Sequence, residues 1–224
     1  HEGMTAETRS FVRELIANDL PITALLQPDF AMVTQRLAEH YGLSGVSGVE
    51  VRKVDVRDDW RVDVDAMASR IDGNTVLLVG SAPQYPQGVI DPIPQLGALA
   101  LEHDLGLHID GCLGGFILAW AESCGYPITP FDFSVPGVTS ISIDTHKYGF
   151  ALKGSSVLLY RTPELRRLQY FIVPDWPGVL YTSPGMSGSR SGGIIATAWA
   201  SMVSLGREGY DAIAGDIFRT TSAL

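Results

Sequence analysis

The chain has 224 residues, with 16 Lys and Arg against 25 Asp and Glu and a formal net charge of −9 at pH 7. That balance excludes a nucleic-acid binder, whose phosphate contacts need a basic face, and the length is enough for one substantial buried core. Two cysteines make no disulfide framework, the five histidines show no metal-ligand spacing, and no apolar run is long enough to span a bilayer.

In chain order, Ala6 to Leu20 places Phe11, Val12, Leu15, Ile16 and Leu20 at helical spacing, and Phe30 to Tyr41 is a second helical stretch. A glycine- and serine-rich segment, Gly42 to Gly48, follows. Val49 to Val56 alternates like a strand, and Val62 to Ile71 reads as a helix begun by Asp63. The apolar run Val76 to Val79 ends in Gly80-Ser81-Ala82-Pro83. Ile93 to Glu102 then has the pattern of a crossover helix, and Leu107 to Asp110 that of a second, parallel strand. Pro127 to Gly137 is a loop feeding a third strand that stops just before Lys147. Ser155 to Tyr160 reads as an antiparallel or edge strand, Phe171 to Arg190 as a long functional loop, and Ile194 to Leu205 as a helix opened by Gly192-Gly193.

Two strand ends carry the chemistry. Asp144-Thr145-His146-Lys147-Tyr148-Gly149 sets a lysine beside a histidine directly after a β-branched run. An amine so placed can condense with an aldehyde, and pyridoxal phosphate is the commonest aldehyde cofactor held this way. His108-Ile109-Asp110-Gly111-Cys112-Leu113-Gly114-Gly115 ends a strand in a carboxylate and a glycine-rich turn. Asp110 there either faces a pyridine nitrogen or caps the helix that follows. In an open α/β sheet ligands bind outside the carboxyl ends of the strands, so Ser81, Asp110 and Lys147 are expected along one sheet edge. Cys112 reads as a small packing residue.

From about Asn74 to about Tyr210 the chain resembles the sphingosine-1-phosphate lyase family, among the group II pyridoxal-phosphate decarboxylases of fold type I. The resemblance is carried by Gly80-Ser81-Ala82-Pro83, Gly88-Val89-Ile90-Asp91-Pro92, the His108 to Gly115 run, Asp144 to Gly149, Lys153-Gly154-Ser155-Ser156 and Gly188-Ser189-Arg190-Ser191-Gly192-Gly193. It implies an α/β fold of the type I transferase kind: a large domain with a mostly parallel sheet flanked by helices. The expected organisation is an N-terminal helical segment over 1–27 and a partial cofactor-binding domain over 28–224. An intact phosphate loop and a C-terminal small domain are not evident; Met4-Thr5-Ala6-Glu7-Thr8 stands where the loop belongs, and Met32 where a ring-stacking histidine is usual.

The resemblance also implies roles. Lys147 would bind pyridoxal phosphate, Asp110 would pair with its ring nitrogen, and His146 and Ser81 would lie near the cofactor. Tyr85 and Lys153 would serve the substrate phosphate and proton transfer. Gly188 and Ser189 would bring a loop to the cofactor phosphate across a homodimer interface. The implied reaction cleaves C2–C3 of a phosphorylated sphingoid base into a fatty aldehyde and phosphoethanolamine, without metal. A decarboxylase of amino acids on the same fold, or a non-catalytic binding partner, are the competing readings. With two cysteines, no signal-peptide pattern at His1-Glu2-Gly3-Met4 and no apolar span, the expectation is a cytoplasmic protein.

Overall fold

The computed structural model describes residues 51–174, 177–178, 180–185 and 188–223. The two N-terminal helical stretches, the 1–27 segment with its boundary, Met4 to Thr8 and Met32 lie outside them. Val54–Pro174 together with Leu180–Leu224 forms one compact unit.

The first helix of that unit, α1 (Val64–Ala68), is shorter than the Val62 to Ile71 expected but is started as expected by Asp63, whose carboxylate accepts from the Ala66 amide at 3.0 Å. A four-stranded sheet follows in the order β1 (Leu77–Ser81), β2 (Gly106–Asp110), β3 (Val138–Asp144) and β4 (Ser156–Tyr160). β1, β2 and β3 run parallel, whereas β4 pairs antiparallel with β3. The crossover between β1 and β2 is α2 (Ile93–Glu102), with the bounds its periodicity predicts. After β2 comes the four-residue α3 (Gly114–Ile117), which runs into a 3-10 turn.

β2 shows how the sheet is sided. Leu107 and Ile109 are fully buried against Ile93 and Leu96 of α2, while His108 and Asp110 point to the opposite, half-open face. The register carries that polar face across β3, where Ser140 and Ser142 stand opposite His108 and Asp110. His108 clasps both, with Nδ1 2.8 Å from Ser140 Oγ and Nε2 3.2 Å from Ser142 Oγ. Burial pushes its imidazole pKa down against the pull of Asp110, so the ring is neutral at pH 7.

One buried carboxylate ties the start of the unit to the sheet. Asp91, ahead of α2, accepts from the Val62 amide at 2.9 Å and from the Ser81 amide at 2.8 Å. Asp91→Ala strands both donors and is expected to cost about 2–3 kcal/mol, read as a lower urea midpoint with an unchanged slope.

Two expectations change. Val49 to Val56 is not a strand over its described part: Val56 makes a single bridge to Val62, and no neighbouring strand pairs with the rest. The segment read as a long loop contains a two-stranded antiparallel ribbon, β5 (Phe171–Val173) with β6 (Tyr181–Ser183), after the short α4 (Pro163–Arg167). The last helical stretch, α5 (Gly192–Ser222), is two helices joined at Gly206, whose φ of +58° and ψ of −173° break the helical run.

Candidate active site

β1, β2 and β3 end at one edge of the sheet. Ser81 and Asp110 are register partners there, and Asp110 faces Ser142 on its other side. Two residues beyond the end of β3, the turn after Asp144 presents His146 and Lys147. The expected juxtaposition of Ser81, Asp110 and the Lys147 turn is therefore present.

Local chemistry shapes each part of it. Asp110 accepts from the Cys112 amide at 3.0 Å, so its carboxylate organises the turn after β2 instead of capping α3. That turn closes on Gly114, where a Cβ would collide with the Ala82 carbonyl oxygen and lie 2.6 Å from Leu118 Cδ1 and from Pro83 Cδ. The Cys112 carbonyl accepts from the Asp144 amide at 3.2 Å, which brings the β2 and β3 turns together.

Lys147 is gripped from both turns. Its Nζ lies 3.1 Å from Asp144 Oδ2 and 2.9 Å from Cys112 Sγ, with 30% of the side chain exposed. Asp144 is held in turn by Ser156 on β4, whose hydroxyl donates to Oδ1 at 2.7 Å, and His146 Nε2 stands 3.8 Å from Oδ2. Burial alone would raise the Asp144 pKa, yet the bonds from Ser156 and Lys147 and the charges beside it leave the carboxyl below its ordinary value. Lys147 is raised, first by its bond to Cys112 and then by Asp144, against burial. Burial also pushes the Cys112 thiol up, so at neutral pH a thiol, not a thiolate, faces the amine.

Among the described residues, Tyr85, Lys153, Gly188 and Ser189 make no hydrogen bond or ion pair to this cluster. Tyr85 is 82% exposed in the loop after β1, Lys153 is exposed between Lys147 and β4, and Gly188 (φ +63°) and Ser189 precede α5. Asp144, Cys112 and Ser156 are the site members that sequence reasoning missed. Asp144 carried a signal, since a carboxylate three residues before a lysine across a tight turn can pair with it; Ser156 and Cys112 carried none locally.

The comparisons with known proteins bear on this edge. Residues 36–171, which include Ser81, Asp110 and Lys147, match the Aminotransferase class-V family. The chain belongs to that family. Within it, the chain groups with the sphingosine-1-phosphate lyases: it is 51% identical over 176 residues to the rice sphingosine-1-phosphate lyase and 45% identical over 201 residues to rat sphingosine-1-phosphate lyase 1. These alignments take in 79% and 89% of this chain but 33% and 34% of the relatives, so it spans about a third of their length. Among solved structures, the Burkholderia pseudomallei sphingosine-1-phosphate lyase superposes with a TM-score of 0.74 at 52% identity, covering 83% of this chain and 42% of that one. Lactobacillus brevis glutamate decarboxylase superposes at 0.62 with 20% identity, covering 95% and 48%, and shares the fold. Residues 1–43 match a different family, PSD4, a protein of unknown function.

The class-V fold carries pyridoxal phosphate, and the donor set here fits it. Lys147 offers a part-exposed amine that, among the described residues, is bonded to Asp144 and Cys112. Asp110 offers a carboxylate at the end of the neighbouring strand. His146 and Ser81 lie at the same edge, His146 with Nδ1 3.4 Å from the Ser155 carbonyl oxygen.

Proposed function

We propose for this chain the activity of a pyridoxal-phosphate-dependent lyase that cleaves phosphorylated sphingoid bases between C2 and C3, releasing a fatty aldehyde and phosphoethanolamine. The observation that supports this most is the placement of Lys147 and Asp110 at one sheet edge, within a chain about half identical to sphingosine-1-phosphate lyases.

Bound there, pyridoxal phosphate supplies an electron sink for the pair left when the C2–C3 bond breaks. Lys147 would hold the cofactor through its amine and, when not bonded to it, would carry a proton at the same spot. Asp110 would favour the protonated form of the ring nitrogen through its negative charge. Tyr85, exposed in the loop after β1, is assigned the proton of the C3 hydroxyl, with Lys147 as the alternative base. Lys153 serves the substrate phosphate, a second anion that an amino acid would lack. His146 and Ser81 serve the cofactor phosphate.

Gly188 and Ser189 are assigned to that phosphate from the partner in a homodimer. In support, the helix that follows them exposes Ile195, Trp199 and Val203 along one side. A cytoplasmic location agrees with both cysteines being free.

The test is product analysis. Incubated with pyridoxal phosphate and a sphingoid base phosphate, the chain is expected to release long-chain aldehyde and phosphoethanolamine in equal amounts. Carbon dioxide from an amino acid such as glutamate, with no aldehyde from the sphingoid base, would replace the lyase by a decarboxylase. Tyr85→Phe is expected to retain the reducible lysine adduct and lose most turnover; full turnover would remove the tyrosine from the proton path.

A further inference from the structure

The grip on Lys147 has a consequence for how the cofactor enters. Nζ donates to Asp144 Oδ2 at 3.1 Å and to Cys112 Sγ at 2.9 Å, and Ser156 fixes the other Asp144 oxygen at 2.7 Å. An ammonium so placed has no lone pair to offer an aldehyde. We propose that Asp144, anchored by Ser156, is a positioning residue for cofactor capture: it holds the Lys147 amine as an ammonium against Cys112, and capture requires that ammonium to leave Asp144 and lose a proton. The proposal rests on the assignment of Lys147 as the amine that takes pyridoxal phosphate.

The step balances without an oxidant. The nitrogen lone pair forms the bond to the aldehyde carbon, the aldehyde oxygen leaves as water with two of the three ammonium protons, and the third goes to solvent. Rate at neutral pH then follows the fraction of Lys147 that is uncharged.

The groups facing Nζ come from three places. Its own turn supplies Asp144 and His146, the β2 turn supplies Cys112 with Asp110 next to it, and β4 supplies the uncharged Ser156. Asp144 is the carboxylate within ion-pair distance of Nζ among the described residues. The amine is raised first by the Cys112 bond, but that thiol is itself pushed up by burial and stays neutral. Both bonds favour the charged amine, Cys112 as a neutral acceptor and Asp144 as a charged one, and mutation separates the two contributions.

The experiment is competitive acetylation of the cofactor-free chain with acetic anhydride across pH, read by peptide mass spectrometry. Besides Lys147 the chain has only Lys53 and Lys153, which serve as internal references. Asp144→Asn is expected to lower the Lys147 midpoint by about one pH unit and to speed borohydride-trapped uptake of pyridoxal phosphate at pH 7 about tenfold. Ser156→Ala is expected to move both in the same direction by less, and it tests the idea should Asp144→Asn fail to fold. Cys112→Ser is expected to move the midpoint less than Asp144→Asn.

A midpoint that stays put in the folded Asp144 and Ser156 variants, in a chain that does take up the cofactor, overturns the role of Asp144 alone. A larger shift from Cys112→Ser than from Asp144→Asn overturns it as well. No uptake by the wild-type chain at any pH overturns the cofactor assignment, and the capture role with it, even where the midpoint shifts.

Discussion

Lys147→Ala is expected to abolish turnover and the reducible cofactor adduct together, while leaving the fold in place. The amine is the group on this sheet edge that can condense with an aldehyde to give a borohydride-reducible bond. Lys53, the nearest lysine upstream, lies before α1, and Lys153 lies in an exposed turn. Removal of a covalent catalyst costs several orders of magnitude in turnover, far more than the loss of a binding contact. The side chain is 30% exposed, and its loss opens no cavity in the core around Ile93, Leu96, Leu107, Ile109 and Val138. Melting temperature and circular dichroism should therefore stay near wild type. A Lys147→Ala chain that still forms aldehyde from a sphingoid base phosphate would contradict the assignment.

Asp110→Asn should have the next largest effect, and on a different quantity. The asparagine oxygen can still accept from the Cys112 amide, now at 3.0 Å from Asp110 Oδ1, so the turn after β2 persists. What disappears is the negative charge that stabilises a protonated ring nitrogen. Losing one preorganised electrostatic contact of this kind costs on the order of a hundred- to a thousandfold in kcat. The adduct on Lys147 should remain trappable, which separates this variant from Lys147→Ala. Unchanged kcat in Asp110→Asn would mean that the carboxylate serves the turn and not the cofactor.

Strong local patterns were the ones that sequence reasoning could follow. α2 matches its expected bounds because Pro94 starts it and Leu96, Leu99 and Ala100 bury one face. β2 was legible because Leu107 and Ile109 alternate with His108 and Asp110. β4, expected as an antiparallel or edge strand, is both: it pairs antiparallel with β3 and ends the four-stranded order. Val49 to Val56 misled because alternation signals a strand only if a partner strand exists, and Val56 finds only Val62. The β5–β6 ribbon escaped notice because two three-residue strands inside a proline- and glycine-rich stretch leave almost no periodicity to read.

The site divides in the same way. Lys147 and Asp110 were visible as polar residues at the ends of apolar strands. The contact between Lys147 and Cys112 joins residues 35 apart in sequence and depends on how two turns meet, which no local pattern encodes. Reading Cys112 as packing missed that its thiol is half-buried at the site edge and bonded to the amine. The Ser156 anchor likewise follows from the antiparallel register that sets Ser156 opposite Asp144. Tyr85, Lys153 and Ser189 came from motif resemblance alone.

The central claim is that Lys147 takes pyridoxal phosphate at this sheet edge. Its most direct test is to mix the chain with pyridoxal phosphate, reduce with borohydride, digest, and locate the added mass among Lys53, Lys147 and Lys153. The account predicts stoichiometric label on the peptide containing Lys147 and only trace label on the other two. Label spread evenly over all three lysines, or none on Lys147 in a folded chain, would contradict it.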